Sequence, residues 1–134
     1  MISPQAALIY VMVLVSASDS DMTDAEFKTI GDIVTHLPAF ADFELDNLTT
    51  IASSCADMLQ AENGLDAALD MVHQSLPDKL RETAYAVACD VAASDGKASQ
   101  EELRLLEMIR HKLHVDRLVA AAIERGARAR YMSA

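Results

Sequence analysis

Acidic side chains gather at two points of this sequence, and both gatherings have the same spacing. Asp19 is followed seven residues later by Glu26, and Asp95 is followed seven residues later by Glu102. Asp21 adds a further carboxylate to the first group. Like charges this close repel unless they are screened, protonated or bridged by a metal, and carboxylate oxygens are the ligands that hard cations prefer. These five carboxylates are therefore candidate ligands for a divalent cation such as Ca²⁺, Mg²⁺ or Mn²⁺.

The two acidic groups belong to a longer internal repeat. Residues 15–37 align with residues 91–113 without a gap, and seven of the 23 aligned positions are identical. Conservative replacements fill much of the rest. The repeat predicts two pseudo-symmetric helix-turn-helix copies, which span residues 5–37 and 81–113 approximately.

Each acidic pair is predicted to join two helices. The Asp falls where one helix ends, and the Glu falls in the first turn of the next. A carboxylate at the C-terminal end of a helix meets the negative end of the helix dipole, so it needs a cation or a hydrogen-bond donor nearby. A short turn can bring the Asp and the Glu towards each other, which favours a cation or a basic partner group at each turn.

The same glutamates also have a purely structural interpretation. Thr23 with Glu26, and Ser99 with Glu102, match the capping box, in which a Ser or Thr and a Glu three residues later satisfy the free amides of a helix start. The aspartates of the two turns can cap helices in a similar way. This alternative explains the acidic residues without any ligand, and the sequence leaves both interpretations open.

Other chemical motifs are weak or absent in the sequence. An EF-hand loop that began at Asp19 would need Glu at its twelfth position, where Ile30 stands. The four histidines lack the HExxH spacing of zinc enzymes, and neither a Gly-rich phosphate loop nor a nucleophile elbow occurs. Cys55 and Cys89 are isolated, which predicts two buried, reduced thiols. We therefore predict no enzymatic activity.

The overall composition favours a cationic ligand or partner. Of the 134 residues, 51% are hydrophobic, which is enough for one core, and we predict a single domain over residues 1–134. Acidic residues number 21 against 11 basic ones, and the net charge of −10 argues against a nucleic acid partner because phosphate contacts need a basic surface. The apolar stretch 6–15 is shorter than the roughly 20 residues that cross a bilayer, so we expect no direct membrane insertion and a cytoplasmic protein.

The C-terminal part of the chain is a basic exception to this charge. Residues 97–134 hold eight Lys or Arg and five Asp or Glu. Arg117, Arg125, Arg128 and Arg130 lie on the last predicted helix, around an apolar run. This pattern suits contact with an acidic partner or an anionic membrane surface, and it equally suits cations that complement the dipole of their own helix.

Apolar residues recur at helical spacing in seven segments, and none of these segments shows the alternation of a strand. They predict an all-α fold, a compact bundle of about seven helices. The first helix begins at Ser3 and Pro4 and is apolar almost all round, which predicts burial. Phe27 and Leu103 are assigned to the apolar faces of the second and sixth helices, and Gly64 is predicted to help end the third.

One stretch of the sequence resembles a known family. Residues 84–97 read AYAVACDVAASDGK, and residues 99–103 read SQEEL, as in the TerB family of tellurite resistance proteins. The resemblance implies an all-helical cytoplasmic protein linked to resistance against tellurite and other chemical stress. It further implies membrane-embedded TerC-like and calcium-binding TerD-like partners, and no established enzyme activity.

The resemblance also bears on the acidic residues. The family's acidic positions correspond to Asp95 and Glu102, and through the internal repeat to Asp19 and Glu26, whereas Ser20 stands where the family has glycine. The function predicted from this is a non-enzymatic binding or scaffold module in a tellurite, metal or chemical stress response, whose acidic motifs bind a divalent cation or a basic partner. The alternative is a homodimeric protein-interaction module with purely structural acidic caps.

Overall fold

Seven α-helices form the part of the chain that the computed structural model describes, residues 1–18, 22–96 and 98–134. Short 3₁₀ turns precede α3 and α5, and another follows α2. No strand occurs within these residues, so the all-α prediction is confirmed. The helices are α1 (Pro4–Ala17), α2 (Asp24–His36), α3 (Leu48–Leu59), α4 (Gly64–Ser75), α5 (Arg81–Ala93), α6 (Gln100–Lys112) and α7 (Arg117–Arg130).

Helix α1 runs through the middle of the bundle. Its start is fixed by Ser3, whose hydroxyl accepts a hydrogen bond from the Ala6 amide at 3.0 Å, and by Pro4 in the first turn. Every residue from Ala6 to Ser16 is buried, because α3, α4, α5 and α6 all pack against it. A helix that is apolar all round needs such enclosure. The prediction of a nearly buried first helix is confirmed.

Helix α1, which has 14 residues, buries its apolar side chains against other helices of the protein. Within the described residues, no helix is long and apolar enough to cross a membrane.

Helix α5 lies beside α1 and also contacts α2, α6 and α7. Its buried positions are mostly small or β-branched, and small side chains let helix axes approach to about 8 Å. They include Ala84, Val87, Ala88, Val91 and Ala92. The core is thus centred on α1 and α5, the first helices of the two predicted repeat copies. The pseudo-symmetry of those copies and the single domain over residues 1–134 stay predictions.

The turn at Gly64 differs from the expectation that this glycine helps to end the third helix. Helix α3 ends at Leu59, and Gly64 is the first residue of α4. The preceding Asn63 has a left-handed backbone with φ 61°. A Cβ on Gly64 would lie 2.3 Å from the carbonyl oxygen of Met58. Glycine is needed here because the start of α4 crosses directly over the end of α3.

Two residues assigned to apolar helix faces are exposed instead. Phe27 is 60% exposed and Leu103 is 49% exposed. Each lies in the first turn of its helix, where the side chain has the register of the buried face but the neighbouring described residues leave it uncovered. The prediction that these side chains join the core is wrong, since helical register alone does not show where the neighbouring helices end.

Candidate functional site

The first predicted capping box is present at the start of α2. The Thr23 hydroxyl accepts a hydrogen bond from the Glu26 amide at 3.1 Å, and Oε1 of Glu26 accepts one from the Thr23 amide at 2.9 Å. Glu26 is 1% exposed. This carboxylate therefore has a structural partner within its own helix start.

The second capping box has the same arrangement at the start of α6. The Ser99 hydroxyl accepts from the Glu102 amide at 3.1 Å, and Oε1 of Glu102 accepts from the Ser99 amide at 2.9 Å. Glu102 is also 1% exposed. Both predicted capping boxes are thus confirmed, and each glutamate uses one carboxylate oxygen to hold a helix start.

We expect the caps to contribute measurably to stability. Thr23→Ala and Ser99→Ala should each lower the free energy of unfolding by about 1 kcal/mol, because each change removes the acceptor for a helix-start amide. Urea denaturation followed by circular dichroism measures the effect. Thr50→Ala, at an exposed position inside α3, is the matched control. Losses no larger than that of the control would contradict a role for the caps.

Asp95 lies in the turn between α5 and α6. It is exposed, two residues beyond the end of α5. Gly96 follows with φ 83°, and its amide donates to the Ala93 carbonyl at 2.9 Å. A left-handed glycine just after a helix is a common way to end it. The turn therefore presents Asp95 at the surface, whereas Glu102 is enclosed at the start of the next helix.

The first acidic turn can be followed only from its Glu26 side, since Asp19 and Asp21 lie outside the described residues. Within the ranges that the structure describes, no group of three or more His, Cys, Asp or Glu side chains is arranged to hold a metal ion. A divalent cation held by Asp19, Asp21, Glu26, Asp95 and Glu102 stays a prediction.

A groove of about 730 Å³ opens between α6 and α7, and α5 forms its floor. It was not predicted from the sequence, because it depends on how far α6 and α7 stand apart. The local signal for it is a set of small residues on α7, which leave space along one side of that helix. Apolar residues that line the groove include Ala92, Ala93, Leu106, Ala120, Ala121 and Ala127.

Two polar groups on the groove floor, the Tyr85 hydroxyl and the Cys89 thiol, are uncharged at neutral pH. The Tyr85 hydroxyl donates to Oε2 of Glu124 at 2.5 Å. Burial, followed by this hydrogen bond, raises the pKa of Tyr85. Burial also raises the pKa of Cys89 to about 12. Cys89 is therefore a thiol at neutral pH and a poor nucleophile, so the floor is suited to contact with apolar groups.

Arginines stand along the edges of the groove. Arg110 lies in the last turn of α6, Arg117 is the first residue of α7, and Arg128 is near the end of α7. The acidic residues that also line it are Glu107 and the hydrogen-bonded Glu124. The basic character predicted for the C-terminal part of the chain is thus concentrated, in part, around one groove.

Other cations of the same region have different positions. Arg130 pairs with Asp90 of α5, and Lys112 pairs with Asp70 of α4. These ion pairs tie α7 and α6 to neighbouring helices. Arg125 is exposed on α7 but does not line the groove. Some basic residues of α6 and α7 therefore form ion pairs with neighbouring helices, and others line the groove.

Comparison with known protein families identifies the family of this chain. A family model described as tellurite resistance protein TerB matches residues 5–125. No curated protein and no solved structure matches the chain. The matched range begins in α1 and ends in α7, and it contains both capping boxes and most of the groove.

Proposed function

The chain belongs to the TerB family of tellurite resistance proteins, and from that membership we propose that it is a cytoplasmic, non-enzymatic binding or scaffold module in a tellurite or metal stress response. Its acidic turns bind a divalent cation or a basic partner. The observation that carries this proposal is the turn between α5 and α6, where a capping box and Gly96 hold Asp95 at the surface.

The charges around the turns support the same function. The capping boxes engage Glu26 and Glu102, and Asp95 is exposed in the turn between α5 and α6. A chain with a net charge of −10 attracts cations and basic surfaces over a distance of several ångströms. The proposal therefore assigns Asp19, Asp21 and Asp95 the contact with the cation, and the glutamates the support of the turns.

Calorimetric titration tests the cation. We expect Ca²⁺, Mg²⁺ or Mn²⁺ to bind with a Kd of roughly 10⁻⁴–10⁻³ M, the range of weak oxygen-ligand sites. Asp19→Asn combined with Asp95→Asn should abolish the heat of binding, because it removes one ligand charge from each turn. Asp66→Asn, at an exposed position of α4, is the control. A heat that the double variant leaves unchanged would remove the cation from these turns.

The partners proposed from family membership are the membrane-embedded TerC-like and the calcium-binding TerD-like proteins. Copurification of the tagged chain with a TerD-like protein, with Ca²⁺ and with a chelator, tests this part. Loss of copurification in the variant with both aspartates replaced would show that the acidic turns form the contact. Undiminished copurification would place that partner on another surface.

The alternative, a homodimeric interaction module with purely structural caps, is favoured by one observation. Apolar side chains remain exposed, among them Phe27 at 60% and Leu118 at 80%. Each of these side chains leaves apolar surface that contact with a second copy would cover. Sedimentation equilibrium decides between the two, since a monomer at high concentration would exclude the homodimer.

A further inference from the structure

The groove over α5 has the length of a short helix. Its edges on α7 extend from Arg117 to Arg128, eleven residues apart along the helix. At a rise of 1.5 Å per residue this is roughly 16 Å, or about three helical turns. The volume of about 730 Å³ leaves room for the side chains of one helix face. An occupant in the form of a three-turn helix would therefore fill the groove from end to end.

The groove floor suits an apolar helix face. Ala93 is partly exposed and Ala121 is exposed, and both are small, so the backbone of an occupant can approach closely. Leu103 and Met132, at the end of the groove near the start of α6, are 49% and 64% exposed. Contiguous exposed apolar surface of this kind marks sites of interaction. An occupant with apolar side chains at every third or fourth position would cover it.

Three arginines and two glutamates line the groove, so its edges are basic on balance and favour an acidic occupant. Arg110 and Arg117 lie at the same end of the groove, because a connection of only four residues joins α6 to α7. Arg128 stands towards the other end. A fatty acid or other single-headed amphiphile would neutralise one end and leave the other cation unmatched. A helix with acidic residues at both ends matches both.

We propose that this groove is the docking site for an acidic amphipathic helix of a partner protein. The proposal rests on the proposed role as a binding module, but it uses the groove and its arginines instead of the acidic turns. Apolar side chains of the docked helix lie over Leu103 and Ala121, and its acidic residues pair with the arginines at the edges. Charge complementarity at the edges also speeds association and lowers affinity for basic helices.

A display library of three-turn amphipathic peptides, with randomised charged positions beside a fixed apolar stripe, tests the proposal. Selection on the purified full chain should enrich peptides with Asp and Glu at both ends. Arg117→Glu combined with Arg128→Glu should weaken their binding by about tenfold or more, since like charges then face each other. Arg125→Glu, on the same helix but outside the groove, should leave the affinity unchanged.

A second variant tests occupancy of the groove itself. Ala121→Trp places a large ring into the groove from an exposed position, so folding should persist, as circular dichroism would confirm. We expect this variant to abolish peptide binding while the heat of cation binding stays unchanged. The two proposals can therefore fail separately.

Several outcomes would overturn the docking site. They are a selection that yields no acidic preference, peptide binding that survives both groove variants, and competition by myristate, which would make a lipid the occupant. A dimer that dissociates on Ala121→Trp would make a second copy of the chain the occupant, and this too would overturn the proposal.

Discussion

Leu8→Ala should lower the free energy of unfolding by about 2–5 kcal/mol. Leu8 is fully buried in the middle of α1, which four other helices enclose. Because those helices hold one another in place, they cannot collapse into the space that the substitution leaves. Typical domains have a total stability of about 5–15 kcal/mol, so the loss would be a large part of the whole. Urea denaturation at neutral pH gives the value.

A surface leucine provides the control for this change. Leu45 is 53% exposed in the turn before α3, and Leu45→Ala should change stability by about 0.5 kcal/mol or less. If the two substitutions had equal effects, α1 could not be the enclosed central helix described above.

The protein should lose stability steeply as the pH rises above about 9. Burial raises the pKa of Cys55 to about 12, and burial likewise raises that of Cys89 to about 12. In the unfolded chain, these thiols ionise near pH 8.5. Between the two values the unfolded chain binds fewer protons than the native protein, so stability falls with pH. Each thiol contributes up to about 5 kcal/mol, fully present below pH 8.5 and lost towards pH 12.

Urea denaturation at pH 8, 9, 10 and 11 measures this slope. Cys55→Ala and Cys89→Ala should each flatten it, although each also leaves a cavity that lowers stability at every pH. Val72→Ala, a buried change without a titrating group, should lower stability while the slope stays as in the original chain. Stability that remained constant up to pH 11 would contradict the burial of the two thiols.

The helix starts were predictable because their signals are local. Ser3, Thr23 and Ser99 each bind an amide within three residues of themselves, so the pattern in the sequence is also the contact in the structure. Gly64 was predicted to end α3, but it begins α4. A side chain is excluded at this position by the Met58 carbonyl of the preceding helix, a contact that the sequence does not show. Local patterns indicate that a turn exists, and packing decides which helix it belongs to.

The candidate sites divide in the same way. Glu26 and Glu102 could be recognised as cap residues from spacing alone, whereas their near-complete burial depends on packing that spacing does not show. The groove was not predicted, since it results from the separation of α6 and α7 above α5. The sequence shows an excess of basic residues from residue 97 onward. This excess does not indicate that Arg117 lines the groove while Arg130 forms an ion pair.

The enclosure of α1 has a consequence for how the chain folds during its synthesis. Helix α1 leaves the ribosome before its main neighbour α5, which follows after more than 60 further residues. At 5–20 residues per second, α1 waits roughly 3–12 s for that neighbour. For this time an almost wholly apolar helix lacks part of its native cover, and the nascent chain is open to aggregation and to chaperones. Slow translation of the segment between α1 and α5 should therefore lower the yield of native protein.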